Sequence, residues 1–267
     1  MKICGDGFLS SSGHDRAQQI VARHAAVFHE LENVISLLRK FISSQEILRQ
    51  DDEEFNQKLI ALILTVRILE VSEAAVVIMR NGMSNEANTL FRVFLDAYFI
   101  ICNVCSDASF VVNFFRTDQT ARLKLLNVAK KHDSELFRMI NENTSDNQRD
   151  SLKEKIAEEQ IQAFNSYAYA ENIGCAEIYD SMYRICSSNL HTTPRALEKY
   201  MDIDEAGNIL SVKDHPTEGD IPQRIYDFTY FNIKVFSAMK ELFGCLNQAE
   251  INIMIGCLDR AARNSKK

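Results

Sequence analysis

Two side chains seven residues apart, Arg184 and His191, have the types and the spacing that could carry out chemistry. The segment around them has helical periodicity, and residues seven apart in a helix point in the same direction, about two turns apart along its axis. A histidine can take or give a proton near neutral pH. A guanidinium can bind a phosphate and stabilise the charge of a pentavalent transition state. The pair therefore suits metal-free RNA cleavage, in which the 2′-hydroxyl attacks its own phosphate.

The helix that carries this pair is expected to run from about 175 to 190 and to have an apolar and a polar face. The apolar face consists of Tyr179, Met182, Tyr183, Cys186 and Leu190, and the polar face of Glu177, Asp180, Ser181, Arg184, Ser187, Ser188 and His191. We expect Tyr183, Ser187 and Ser188 to support the two candidate catalytic residues. The alternative, which spacing alone favours, is a solvated face on which Asp180 pairs with Arg184 four residues later.

A second polar group, Arg92 and Asp96, interrupts the very apolar segment 90–105. Buried charges are costly unless they are paired. The group could be a buried polar site that binds a ligand, or an ion-pair network that fixes the register of the helices, and the cost of burial favours the network. Three charged residues of neighbouring segments could join it: Arg67, Glu70 and Glu86.

The sequence gives little support for a metal or a cofactor, and we predict neither. Cys102 and Cys105 form a lone C-x-x-C pair in an apolar segment, without the second pair that a zinc site needs. No histidine follows a glutamate by three residues, which is the spacing that di-iron bundles use. No glycine-rich phosphate loop and no nucleophile-elbow motif is present. A metal-dependent bundle enzyme is therefore the weakest alternative.

The elements that position these residues are predicted to be helices. Only 3 Pro and 9 Gly occur in 267 residues, and both residue types interrupt helices. Hydrophobic residues make up 46% and charged residues 25%, as in ordinary globular proteins. We predict an all-α multi-helix bundle in which residues 14–267 form one domain and residues 1–13 a flexible N-terminal tail. A Gly-Asn turn between alternating runs predicts a small β-hairpin insertion at 203–214.

Periodicity and capping residues predict where the helices begin and end. Asp51 and Asp52 could cap one helix, Ser84 another, and Asn247 with Glu250 forms a capping-box pattern. Pro222 fits the first turn of a helix that ends at Gly244. The predicted helices cover about 15–42, 52–81, 84–105, 107–131, a short stretch after 133, 147–170, 175–190, 222–243 and 248 onwards.

Charge and cysteine content argue against several classes of protein. The formal net charge is −7 and the pI about 5.5, so the chain has no bulk attraction to nucleic acid or anionic lipid, and any RNA site must be local. Its 7 cysteines are scattered through helical segments, which is typical of reduced thiols. Without a signal peptide at residues 1–13, we expect a cytoplasmic protein that does not associate with membranes.

Three segments of the chain resemble a bacterial all-α family that is catalogued only as a domain of unknown function. The first runs from Asn81-Gly82 through Glu86-Ala87 and Leu90-Phe91-Arg92 to Asp96, the second from Tyr183 to His191, and the third is the hairpin around Gly207 with the turn at Pro216. Together they lie within 59–243, which is most of the chain.

The six residues between Arg184 and His191 also resemble the motif of HEPN domains (higher eukaryotes and prokaryotes nucleotide-binding). This resemblance implies a metal-independent ribonuclease, acting as a toxin or an antiphage-defence effector, with His191 transferring the proton and Arg184 holding the phosphate. It also implies a homodimer in which two motifs face each other, and an antitoxin or defence-system partner. Ile185 stands where active motifs commonly have a polar residue, so the alternative is a non-catalytic helical module that binds a protein partner or a small ligand.

Overall fold

Helices form most of the protein. The computed structural model describes residues 2–4, 6–45, 53–132, 134–190, 194–244 and 248–264. The longer helices are α1 (Ser11–Arg23), α2 (Ala25–Ser43), α3 (Glu53–Arg80), α4 (Ser84–Ser106), α5 (Ala108–Lys131), α6 (Glu135–Asn143), α7 (Asp146–Glu158), α8 (Ser166–Asn172), α12 (Ile221–Phe243) and α13 (Gln248–Asn264). The segment between α8 and α12 contains α9 (Ala176–Ile178), a π-helical turn (Tyr179–Tyr183), α10 (Arg184–Leu190), α11 (Pro194–Leu197), a 3₁₀ turn (Glu198–Tyr200) and the strands β2 (Met201–Ile203) and β3 (Ile209–Lys213). The prediction of an all-α bundle with a small hairpin is confirmed.

Helix α4 lies at the centre of the bundle, where α3, α12, α10 and α8 pack against it. Its Phe91, Phe94 and Phe99 are fully buried, and the ring centroids of Phe91 and Phe228 of α12 are 5.0 Å apart. By length and composition alone, α4 could cross a membrane, but 56% of its most apolar window is buried inside the fold, as in the core helix of a soluble protein. Because α4 touches so many neighbours, its side chains fix where the surrounding helices lie.

Several helix boundaries follow from the capping residues that the sequence offers. The Asp107 side chain accepts a hydrogen bond from the Ser109 amide and begins α5. Pro222 lies in the first turn of α12, and Gly244 ends that helix in the left-handed conformation with φ 62°. These predicted boundaries are confirmed.

Two predicted helices are each divided in the structure. The helix expected over 15–42 is broken at His24, whose φ of −107° and ψ of 17° are not helical, so α1 and α2 can pack in different directions. The helix expected over 147–170 ends at Glu158, because Gln160 adopts a φ of 50°. Asn165 then begins α8 by accepting hydrogen bonds from two backbone amides.

The remaining capping predictions have different outcomes. Ser84 is the first residue of α4, and the N-cap position belongs to Met83, which makes no capping hydrogen bond. Asp51, Asp52 and Asn247 lie outside the residues that the structure describes.

The sheet contains one more strand than the predicted hairpin. β2 and β3 pair in the antiparallel sense, as expected for 203–214, and β1 (Lys2–Cys4) pairs in parallel with β3. α1 begins at Ser11, after the side chain of Ser10 accepts a hydrogen bond from the Gly13 amide. β1 and the start of α1 thus lie within residues 1–13, for which the sequence predicted a flexible tail. The strand gave no signal because three residues have no detectable period and Lys2 pairs with Ser211, 209 residues later.

The loop that follows the sheet packs against the turn between α3 and α4. Gly82 has a φ of 74°, and its carbonyl accepts a hydrogen bond from the Thr217 amide at 3.1 Å. A Cβ atom at this position would lie 2.5 Å from the Cβ of Pro216, so a larger residue would push the loop away. This contact ties the sheet to the start of the central helix.

Candidate functional site

The segment from α9 to α10 runs antiparallel to α4. Its Tyr179 and Tyr183 rings lie 6.5 and 6.1 Å from Phe99, and further along the segment Ser187 reaches Arg92, an earlier residue of α4. Tyr183 is 5% exposed and Cys186 is fully buried. The π-helical turn at Tyr179–Tyr183 inserts a wider turn just before Arg184, and such turns are frequent at functional sites.

Arg92 organises the contacts between the two segments. Its Nη2 donates a hydrogen bond to the Tyr183 hydroxyl at 2.8 Å, and its Nε donates one to the Ser187 Oγ at 3.0 Å. Its Nη1 lies 3.4 Å from Asp96 Oδ2, and Ser166 of α8 donates a hydrogen bond to Asp96 Oδ1 at 2.6 Å. Arg92 and Asp96 together therefore link α4 to the π-helical turn, to α10 and to α8.

This Arg92 cluster is partly shielded from water. The side chains of Arg92 and Asp96 are 30% and 22% exposed, so they are half-buried and not fully buried as the apolar segment suggested. The Tyr183 hydroxyl also approaches Ser166 Oγ at 3.4 Å. Burial raises the pKa of Tyr183, which keeps its hydroxyl protonated and able to donate.

The structure joins two groups of residues that the sequence analysis kept apart. Tyr183 and Ser187 were predicted to support Arg184, yet they contact Arg92 instead. Ser188 donates a hydrogen bond to the Ile185 carbonyl at 2.7 Å and faces outwards. Tyr183 and Ser187 are four residues apart and share the helix face that meets α4, whereas Arg184 lies on the exposed side.

Arg184 lies on the outward side of the same segment. Its side chain is 67% exposed, its Nε lies 3.1 Å from Oδ1 of Asp180, and its guanidinium is 5.9 Å from the Tyr179 ring centroid. The neighbouring Ile185 is 61% exposed. The i,i+4 pairing that the sequence offered as the plainer interpretation is therefore present. His191 lies outside the residues that the structure describes.

The three other charged residues predicted for the polar site do not join the Arg92 cluster. Arg67 and Glu70 approach each other at 3.9 Å on the outward face of α3, where their side chains are 56% and 62% exposed. Glu86 is half-buried in the first turn of α4 and interacts electrostatically with Lys199. Periodicity gives the face of each helix only approximately, so it could not decide whether these residues reach Arg92.

A second polar cluster, formed by Gln223, Arg224 and Asp227 at the start of α12, was missed by the sequence analysis. Arg224 Nη1 pairs with Asp227 Oδ2 at 3.0 Å, and the two side chains are only 10% and 6% exposed. The Arg224 guanidinium also covers the Phe91 ring at 4.4 Å. Burial raises the pKa of Asp227. The i,i+3 spacing was visible in the sequence, but nothing local indicated that both charges are buried.

The cysteines of α4 fit the prediction of reduced thiols. Cys102 and Cys105 are free, and burial raises the pKa of each to about 12. Within the described part of the chain, no group of three or more His, Cys, Asp or Glu side chains could hold a metal ion. That the protein works without a metal or a cofactor stays a prediction.

Two cavities in the described part of the chain lie away from the Arg92 cluster and Arg184. One of about 460 Å³ is formed by α5, α6 and α7 and includes Lys130, His132 and Arg149. Another of about 440 Å³ lies where the 159–165 loop meets α5. The Arg184 side chain itself is 67% exposed, so a large ligand can reach it from solvent.

Comparison with known proteins gives a family without an assigned activity. No curated protein and no solved structure is significantly similar to the chain. The Family of unknown function (DUF5677) matches residues 58–209. The match covers Arg92, Asp96, the whole of α10 and the Gly207 turn, which carried the resemblance seen in the sequence. Since it spans more than half of the 267 residues, the chain belongs to this family of unknown function.

Proposed function

We propose that the protein is a HEPN-like, metal-independent endoribonuclease that uses Arg184 and His191. The observation that supports this proposal is the position of Arg184, which is 67% exposed on a helix whose other side is held by Arg92. An ion pair between exposed side chains contributes only about 0–1 kcal/mol. An RNA phosphate can therefore replace Asp180 beside Arg184 at little energetic cost.

The proposed reaction needs only the RNA, these two side chains and water. His191 takes the proton of the 2′-hydroxyl as its oxygen attacks the adjacent phosphorus, and the bond from phosphorus to the 5′-oxygen breaks. Water protonates the leaving 5′-oxygen, and His191 then gives its proton to the hydroxide that remains. The products end in a 5′-hydroxyl and a 2′,3′-cyclic phosphate. Arg184 binds the non-bridging oxygens, whose negative charge increases in the transition state.

The Arg92 cluster has a positioning role in this proposal. By holding Tyr183 and Ser187, Arg92 sets the rotation of α10 about its own axis. That rotation decides whether Arg184 faces outwards. Catalytic groups lose much of their effect when they are displaced by about 1 Å, so a fixed α10 is useful to the reaction.

The second candidate function is a non-catalytic helical module that binds a protein partner or a small ligand. The observation that favours it is the contact of 3.1 Å between Arg184 and Asp180, since this neutralises the cation in the free protein. A homodimer, an antitoxin or a defence-system partner, and a cytoplasmic location also stay predictions.

An RNA cleavage assay distinguishes the two candidates. The purified protein is incubated in EDTA with a single-stranded RNA and with the same sequence carrying 2′-deoxyribose at every position. The ribonuclease proposal expects cleavage of the RNA alone, with cyclic phosphate ends, and a loss of about 10²–10⁴ in rate for His191→Ala. Equal activity of the His191→Ala protein, or no cleavage at high enzyme concentration, would leave the binding module as the better account.

A further inference from the structure

The outward face of α3 is a long exposed surface with several apolar residues. Ile63 is 54% exposed, Val66 44% and Val77 61%. The opposite face of α3, with the fully buried Ile68 and Met79, packs into the bundle. Scattered apolar residues are normal on a protein surface, but a row of them along one helix face indicates an interaction surface.

The spacing on this face is that of a coiled-coil seam. The residues of the seam are Ile60, Ile63, Arg67, Glu70, Ala74 and Val77, which follow one another at alternating steps of three and four. Ile60 is half-buried, and the other five are exposed. A helix of 28 residues is roughly 42 Å long, which is enough for several layers of contact with another helix.

The seam is also symmetric about its own midpoint, which lies between Arg67 and Glu70. If a second α3 packs against it in the antiparallel sense, Ile63 of each copy faces Ala74 of the other. In the next layer outwards, Ile60 faces Val77. Each layer then combines a larger side chain with a smaller or similar one, as close packing requires.

The charges of the seam select the antiparallel arrangement. In that arrangement Arg67 of each copy faces Glu70 of the other, which forms two reciprocal ion pairs about the two-fold axis. A parallel arrangement would place Arg67 against Arg67 and Glu70 against Glu70. Within one chain these two side chains approach only to 3.9 Å and are more than half exposed, so both can turn towards a partner.

We propose that α3 is the contact surface for a second copy of this chain, in a two-fold symmetric pair of antiparallel helices. The seam shares no residue with Arg184 or the Arg92 cluster, so this inference does not depend on the proposed ribonuclease activity. It places the two-fold contact on α3, in place of the homodimer with facing Arg184 motifs that the HEPN resemblance implies.

Charge reversal at the centre of the seam tests the proposal. The Arg67→Glu variant has acidic residues at both 67 and 70. The Glu70→Arg variant has basic residues at both positions. We expect the unchanged protein to be dimeric by size-exclusion chromatography with light scattering, and each variant to be monomeric at the same concentration. An equimolar mixture of the two variants should recover the dimeric mass, because unlike charges then face each other.

Matched controls separate this interface from a general effect of charge. Arg138→Glu makes the same change of charge on α6, where the Arg138 side chain is 59% exposed, and should leave the dimer intact. Circular dichroism should show unchanged helix content for all variants, since Arg67 and Glu70 are on the surface. A monomeric unchanged protein, a dimer that persists in Arg67→Glu, or a mixture that stays monomeric would each overturn the proposal.

Discussion

Replacing Arg92 by Met should destabilise the fold far more than replacing Arg184 by Met. Methionine keeps most of the apolar stem of arginine and removes the guanidinium, so the comparison isolates what each charged group contributes. Arg92 donates two hydrogen bonds that link α4 to the π-helical turn and to α10, and it pairs with Asp96 of its own helix. Arg184 pairs only with a residue one turn earlier in its own segment, at the surface.

The size of the difference follows from these contacts. A hydrogen bond in which one partner is charged contributes about 1.5–3 kcal/mol when buried. Arg92 makes two such hydrogen bonds, but its side chain is 30% exposed. Water screens the charge of a partly exposed group, so each hydrogen bond contributes less than it would in the core. We expect the Arg92→Met substitution to lower the free energy of unfolding by about 2–3 kcal/mol, and Arg184→Met by at most about 1 kcal/mol.

Thermal and urea unfolding followed by circular dichroism measure both effects. A loss of 2–3 kcal/mol corresponds to a decrease in Tm of roughly 5–10 °C for a domain of this size. A double-mutant cycle with Tyr183→Phe, which removes only the hydroxyl, should give a coupling energy of about 1 kcal/mol with Arg92→Met. Equal destabilisation by the two arginine substitutions, or no coupling to Tyr183, would refute the role assigned to Arg92.

Three further predictions concern other parts of the structure. Asp180→Asn should tighten the binding of labelled single-stranded RNA by up to about fivefold, because Arg184 loses its competing carboxylate. Fluorescence anisotropy measures this affinity, and unchanged or weaker binding would contradict the prediction. Burial alone would raise the pKa of Glu30, but its hydrogen bonds with Arg260 and Cys257 outweigh burial and hold that pKa below 4.5. The stability that the Glu30–Arg260 pair contributes is therefore present above pH 4.5 and is lost as the pH falls through the lowered pKa. Arg260→Met should accordingly reduce Tm more at pH 7 than at pH 3, and a deficit that is the same at both pH values would contradict this. Asn165→Ala should cost about 1 kcal/mol in urea unfolding through the lost cap of α8, and a neutral effect would show that this cap is dispensable.

Helix content and the hairpin were predictable because they depend on local features. Asp107, Pro222 and Gly244 act on their own helix ends, and the Gly207-Asn208 turn connects adjacent strands. The break at His24 was not predictable, since no glycine or proline marks it. The strand Lys2–Cys4 was missed because its pairing partner is remote in the sequence.

The candidate site was predictable in its members but not in its contacts. Arg92 and Asp96 were recognised as a pair, and Tyr183 and Ser187 as supporting residues on another helix. Their union depends on how two helices pack and on the π-helical turn, neither of which has a periodic signal. Ser166 was not recognised, because a serine after a capping asparagine has no local feature that indicates a contact with Asp96.

The rate of RNA cleavage in EDTA by Arg184→Ala, set beside that of Arg138→Ala, tests the central claim most directly. Both arginines are exposed, with side chains 67% and 59% accessible, and both pair with an acidic residue of their own helical segment. The account predicts that Arg184→Ala lowers the rate by about 10²–10³ while Arg138→Ala leaves it unchanged. Equal rates for the two variants would contradict the assignment of Arg184 to the reacting phosphate.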